Sequence, residues 1–187
     1  QDFKEYIKEL KSGYHVGADL TYFISEKIGF GLKYTSFMTS NQAYVSVTGG
    51  TGSGSSGLMV DDVTTQYIGP ALSSRALSAN EKTILNSLVS VGYLNYRNDA
   101  TLIEQFELTG ETIGVGFDFG IEQKLAPLVG LEFKVGLMAG TLSKIESRSG
   151  NSVQTITFEK DQRENISRFD LSLGVKWHPQ RRKTTQK

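Results

Sequence analysis

His15 and His178 are the only histidines of the chain, and cysteine is absent. Together these counts exclude disulfides, thiolate zinc sites, iron–sulfur clusters, cysteine nucleophiles and a histidine-rich metal centre. For acid–base chemistry there remains His15 with Asp19 on one face of an extended segment, which with a serine from elsewhere would supply the base and orienting acid of a hydrolase triad. The competing reading makes them two inward side chains hydrogen-bonded to neighbours. Gly52, Gly54 and Gly57 have the GxGxxG spacing, but LMVDDV follows, whereas a dinucleotide site needs a helix N-terminus there to hold the pyrophosphate. A surface loop is expected instead. Asn165-Ile166-Ser167 matches a glycosylation sequon. No residue is assigned as catalytic, cofactor-binding or metal-ligating, no cofactor is expected, and the chain is expected not to be an enzyme.

Those residues must be positioned by elements, and the elements show themselves as a period of two, the pleat of a strand. From Tyr14 to Ile24 one face reads Tyr14, Val16, Ala18, Leu20, Tyr22, Ile24 and the other His15, Gly17, Asp19, Thr21, Phe23. Ile28, Phe30, Leu32 and Tyr34 repeat the pattern against Gly29, Gly31, Lys33 and Thr35. So do Ile113 to Ile121 within Thr112–Glu122, Leu131 to Ala139, and Phe169 to Trp177. Two less regular strands are expected over Val63–Arg75, with Ile68, Pro70 and Leu72 on one face, and Leu85–Tyr96, with Val89, Val91 and Tyr93. Pro70 would mark an edge strand, because proline donates no ladder hydrogen bond.

The polar face decides what kind of sheet this is. It is thick with glycine and opposed charges, where a soluble sandwich commonly carries Lys, Glu, Thr and Ser. A narrow closed lumen explains the glycine, because side chains from every strand compete for its space, and buried charges there must pair. Asp19, Lys33, Arg75, Asp118, Glu122, Glu132, Lys134, Arg168, Asp170 and Lys176 are the expected lumen charges, acids and bases in equal number, which favours a plug of ion pairs over a single-sign selectivity ring. The apolar face, including Leu20, Leu32, Val115, Phe133 and Leu173, then points outward, as in a transmembrane barrel, and each clean run is near the ~9–11 residues that cross a bilayer. Tight connections at Ser25–Lys27 and Lys124–Pro127, and an intermediate one at Ala76–Thr83, alternate with long ones at Thr39–Asp62, Asn98–Glu111 and Ser143–Asn165. Aromatics fall near strand ends, with Tyr14, Tyr34, Tyr96 and Phe169 toward the outer interface and Tyr22, Phe119 and Trp177 toward the inner one.

The segments GYHVGADLTYFI, KIGFGLKYTSF, TIGVGFDFGIEQKL, GLEFKVGLMAG and RFDLSLGVKW resemble the small outer-membrane β-barrels of Gram-negative bacteria, the OmpA-like and OmpX-like eight-stranded superfamily, in the style of Bacteroidota barrels. The last segment resembles their C-terminal recognition signal but continues to Lys187. The resemblance implies an all-β, antiparallel up-and-down transmembrane β-barrel in the bacterial outer membrane, porin-like in architecture. Residues 1–177 would be the barrel, with 1–12 an outer loop or a short helix carrying Phe3, Tyr6, Ile7 and Leu10, and 178–187 a basic periplasmic tail with Arg181, Arg182 and Lys183. Seven strands are counted where single-chain bacterial barrels have an even number. A first strand is therefore expected before Gln1, the chain being a mature form or an excerpt; alternatively a strand is hidden, with Val153–Phe158 pairing outside the membrane.

Twenty acids balance twenty bases, so no long-range field favours nucleic acid, and no nucleic-acid partner is expected. The expected partners are outer-membrane lipid and lipopolysaccharide, with a protein partner in a membrane complex. The functional expectation is a non-enzymatic surface recognition or accessory subunit working through long outer loops, chiefly Thr39–Asp62 and Ser143–Asn165. The alternatives are an outer-membrane lipid- or protein-modifying hydrolase and a soluble lipocalin-type ligand-binding barrel.

Overall fold

The computed structural model describes residues 10, 12–48, 54–79, 82–101, 105–150 and 152–179. All seven expected strands form, as β1 (Tyr14–Phe23), β2 (Ile28–Thr48), β3 (Gly54–Leu77), β4 (Thr83–Thr101), β5 (Gln105–Ala126), β6 (Val129–Ala139) and β11 (Arg168–Trp177). Between the last two lie four short strands, β7 (Thr141–Leu142), β8 (Lys144–Ser149), β9 (Ser152–Thr157) and β10 (Glu164–Asn165). The main sheet runs β1-β2-β3-β4-β5-β6-β11, every neighbour antiparallel. It is an up-and-down meander not closed by hydrogen bonds, since β1 pairs only with β2 and β11 only with β6 among the described residues. Val153–Thr157 does pair outside the meander: β9 forms a hairpin with β8, which docks on Glu107–Thr109 of β5.

The outward face is apolar and exposed over a belt. Leu20, Leu32, Val115, Phe133 and Leu173 all lie on it, with Tyr14, Tyr22, Tyr34, Phe119, Phe169 and Trp177. One register row, Tyr34–Ile68–Tyr93–Ile113, ends the belt on four strands. The next outward row in the same register reads Ser36, Gln66, Asn95, Glu111. Tyr96 departs from the expected girdle: alternation with buried Leu94 and Asn98 puts it on the inward row.

Above that row the strands continue. β2 has 21 residues, about 70 Å of strand at ~3.3 Å per residue, more than twice the roughly 30 Å of a bilayer's hydrocarbon core. The stretches read from sequence as long loops are therefore mostly ladder. Val45–Thr48 pairs with Gly54–Gly57, and Asp99–Thr101 with Gln105–Glu107. Gly54 and Gly57 of the GxGxxG spacing lie in β3, and LMVDDV continues that strand; Gly52 lies outside the described residues. So do Phe3, Tyr6, Ile7, Arg181, Arg182 and Lys183, while Leu10 is helical.

Pro70 does not mark an edge. β3 is central, paired with β2 through Pro70 itself and with β4 on either side of a break at Gly69–Pro70. The break is seated by two glycines: a Cβ on Gly69 would come within 2.4 Å of the Val91 carbonyl oxygen, and one on Gly92 within 2.2 Å of that of Ile68. The missing proline N–H and the close backbone approach thus occupy the same place.

The interior is not uniformly polar. Tyr67, Leu94 and Met138 form a fully buried cluster, joined by Ile166 from the segment before β11. This apolar tier lies inside the belt's upper edge, since Tyr67 and Leu94 are the inward neighbours of Ile68 and Tyr93. Below it the lumen is ionic.

Candidate functional site

The middle of the lumen is built on alternate, inward positions of β1, β2, β5 and β6. Lys33 donates to Asp118, and both are buried. Lys134 Nζ lies 2.5 Å from Asp19 Oδ2 and 3.6 Å from Asp118 Oδ2. Two bases thus hold two acids contributed by four strands, a satisfied network of the kind a low-dielectric interior requires. A cavity of about 20 Å³ beside His15, Lys33, Lys134 and Ser172 has room for about one water.

Toward the inner end, Glu122 and Glu132 are direct cross-strand partners and both nearly inaccessible. Asn86 Nδ2 donates to both, at 3.2 and 2.9 Å. Lys176 Nζ sits 3.2 Å from Glu132 Oε2, and His178 Nε2 2.6 Å from Glu122 Oε1. His178, the first residue of the stretch read as tail, also donates its backbone N–H to the Leu128 carbonyl. Glycine makes the seats for these carboxylates. A Cβ on Gly120 would stand 2.7 Å from Glu132 Oε1, one on Gly130 2.3 Å from Glu122 Oε1, and one on Gly136 2.9 Å from Asp118 Oδ1. At these three positions glycine accommodates buried charge.

Arg75 is the exception among the expected lumen charges. It lies at the mouth, stacked 3.9 Å over the Phe23 ring and donating to the Glu26 carbonyl. The inward charges are then five acids, Asp19, Asp118, Glu122, Glu132 and Asp170, against Lys33, Lys134, Arg168 and Lys176, with the two histidines on Asp170 and Glu122.

At the outer side, His15 Nε2 is 3.1 Å from Ser172 Oγ, and its Nδ1 is 3.9 Å from Asp170 Oδ1. Sequence reasoning paired His15 with Asp19; the structure corrects this, because Asp19 is committed to Lys134 and the acid nearest the imidazole is Asp170. The first two members of a nucleophile–base–acid set are at hydrogen-bonding distance, while the third is too far for a hydrogen bond. Asp170 is held instead by Arg168, whose Nε reaches its two oxygens at 3.2 and 3.1 Å. Arg168 also donates through Nη2 to Thr35 Oγ1 and lies 5.3 Å over the Phe37 ring. Alternation already placed Asp170 on the inward face of β11; the missing signal was that β11 curls back to face β1.

Beyond the belt, Tyr96 is the most perturbed phenol. Its burial, with the carboxylates of Glu164 and Asp61 nearby, pushes it up to about 12. Among the described residues no three His, Asp or Glu side chains converge as metal donors.

No family model matches the chain, and no curated protein matches its sequence. Among solved structures it is similar to the outer membrane protease OmpT from Escherichia coli, with a TM-score of 0.52 and 9% identity over 87% of this chain and 62% of that one. The chain thus spans less than two thirds of that structure, and at this identity the likeness is one of fold: an all-β antiparallel sheet of the outer-membrane barrel type. The expectation that the chain is not an enzyme is overturned by this comparison, since the architecture it shares carries a protease in that protein.

Proposed function

We propose that the protein resides in a bacterial outer membrane as a small β-barrel and works at the cell surface, its upper ladders recognising a macromolecular partner. Its belt would contact outer-membrane lipid, with lipopolysaccharide in the outer leaflet. The observation that carries this reading is the length of β2, β3, β4 and β5, at 21, 24, 19 and 22 residues. Fourteen residues each of β2 and β3 and eight each of β4 and β5 lie beyond the belt's last row, while the lumen beneath is filled by paired charges. Long paired strands are a rigid platform, so little ordering cost opposes binding on them.

The register supplies a clean test. Ser40 faces Asp62 and Lys144 faces Thr157, so residues 41–61 and 145–156 can each be replaced by a two-residue Asn-Gly turn. Native-detergent purification with mass spectrometry is expected to recover a stoichiometric partner with the intact protein and to lose it with the doubly trimmed one. Retention of the partner by the trimmed barrel would contradict the reading.

A second reading is favoured by one contact, Ser172 Oγ to His15 Nε2. Here Ser172 would be the nucleophile of an acyl-transfer hydrolase, His15 its base and Asp170 the orienting acid. A fluorophosphonate should then label the detergent-solubilised protein at Ser172, with no label on Ser172→Ala and labelling slowed roughly 100- to 10,000-fold by His15→Gln. An unlabelled native protein removes this reading and leaves the first intact.

A further inference from the structure

We infer that the interior of the outer ladders holds a calcium site, built from the carboxylates of Asp61 and Glu164 and the side-chain carbonyl of Asn98, beside Tyr96. It goes beyond the surface reading, which needs no metal, and uses no residue of the Ser172–His15–Asp170 set.

Three strands bring these groups together. Asn98 is a buried, inward residue of β4, and Asp61 on β3 is paired with Ala100, the next inward residue of β4. Asn98 Nδ2 donates to Asp61 Oδ1 at 2.7 Å. Glu164 comes from β10, two residues before the Ile166 that packs on the Tyr67–Leu94–Met138 cluster. Both carboxylates bear on Tyr96: burial, then Glu164, then Asp61 push its phenol up to about 12, while the Asn98 amide, a hydrogen-bonding neighbour, acts the other way. Asn98 stands five positions beyond Tyr93 of the belt's last row, about 16 Å along the strand, where water and dissolved ions reach the ladders.

Two observations point to a ligand. The first is Asn98 itself, which is 6% exposed and whose Oδ1 meets no donor among the described residues. A buried carbonyl oxygen left without a partner is costly and uncommon. Turning the amide over does not relieve it, because its oxygen would then face the Asp61 carboxylate, which offers no proton. The second is charge. Each lumen carboxylate has a base beside it: Lys134 at Asp19, Lys33 at Asp118, His178 at Glu122, Lys176 at Glu132 and Arg168 at Asp170. Glu164 is in none of the ion pairs among the described residues, and its charge falls on a buried phenol.

An orphaned acceptor within a negative field is matched by a cation, and the donors say which. All are oxygens: two carboxylates, a neutral amide and a phenol hydroxyl, from strands of no common symmetry. Calcium accepts roughly six to eight such oxygens in irregular geometry, whereas magnesium demands a near-ideal octahedron. Glu164 is exposed, so the ion enters from solvent and completes its shell with water. With only two charged ligands the site belongs with the weak calcium sites of extracellular modules, at about 10⁻⁴–10⁻³ M. Occupied, it ties β10 to β3 and β4 and fixes the segment that lays Ile166 over the apolar tier.

The test titrates the chelator-stripped protein in detergent with Tb³⁺, a luminescent substitute for Ca²⁺ that a nearby tyrosine sensitises. One saturating site is expected, displaced by Ca²⁺, with the emission lost in Tyr96→Phe and binding weakened at least tenfold in Glu164→Gln. Glu159→Gln, an exposed acid outside the cluster, should bind as the parent does. Unfolding in chelator should be the same for Glu164→Gln and the parent, and Ca²⁺ should stabilise the parent more. As an independent readout, Ca²⁺ should lower the pH at which one tyrosine ionises, from about 12, and leave the titration of Tyr96→Phe unchanged. Absence of saturable emission, emission that persists in Tyr96→Phe, equal binding by Glu164→Gln, or a tyrosine titration indifferent to Ca²⁺ would each overturn the site.

Discussion

Lys33→Met is expected to destabilise the folded protein by about 3 kcal/mol, at the low end of the ~3–5 kcal/mol cost of stripping a buried charge of its partner. Lys33 and Asp118 side chains are only 7% and 5% exposed, so the orphaned carboxylate cannot turn to water. The low end applies because Lys134 Nζ remains 3.6 Å from Asp118 Oδ2 and takes up part of the charge. Adding Asp118→Asn should recover most of the loss: it removes the unpaired charge yet keeps the side chain's shape against Gly136, where a bulkier apolar group would collide. Urea unfolding of the detergent-refolded single and double variants measures both quantities. Equal stability of Lys33→Met and the parent would mean that the lumen is wet and the ion pairs screened. Failure of the double variant to recover would point to packing of the lysine stem as the larger contribution.

How far the sequence led can be traced residue by residue. Five strands announced themselves because belt and lumen impose opposite chemistry on adjacent positions, as between Phe117 and Asp118 or Phe133 and Lys134. β3 and β4 were harder to read because their inward rows change character along their length. Tyr67, Leu94 and Ile84 are inward and apolar, next to outward Ile68, Tyr93 and Leu85, so alternation of polarity vanishes where both faces are hydrophobic. The same effect misplaced Tyr96, whose ring reads as a girdle aromatic until the register shows which face it takes.

The upper ladders were read as loops for a different reason. Above the row Ser36–Gln66–Asn95–Glu111 water meets the outward face, and segments such as Gly54-Ser55-Ser56-Gly57 carry turn-like residues although their backbones pair. Register is set there by the hairpin continuing from the belt, a long-range constraint that local composition does not carry. The His15–Ser172 contact lay still further from view. Alternation placed each residue inward, but which strands face one another across the lumen depends on curvature and shear. An i, i+2 pair such as Asp170 and Ser172 on a closing strand, opposite a lone histidine on the first, is a pattern that a combined reading of both strands could have raised.

Phe133→Arg is expected to cost about 2–4 kcal/mol, the depth-dependent penalty for a cation on a barrel's lipid face. In water the same substitution would be close to neutral. Phe133 is 52% exposed, and surface changes away from special features usually stay within roughly ±0.5 kcal/mol. Its outward position is secured by register on both sides, opposite Ile121 of β5 and Leu173 of β11, both themselves exposed. A buried-core explanation for a large loss is therefore excluded in advance. Gln66→Arg serves as the companion variant, since Gln66 is an exposed polar position on the same outward face beyond the belt. Refolding both into phospholipid vesicles and titrating with urea gives the comparison. A loss of several kcal/mol for Phe133→Arg in vesicles, collapsing toward zero at the polar outward position Gln66 when Gln66→Arg is made, would locate the bilayer edge between Phe133 and the row beyond Tyr34–Ile68–Tyr93–Ile113. A Phe133→Arg protein as stable as its parent in vesicles would show that the belt does not face lipid, and the outer-membrane reading would fall with it.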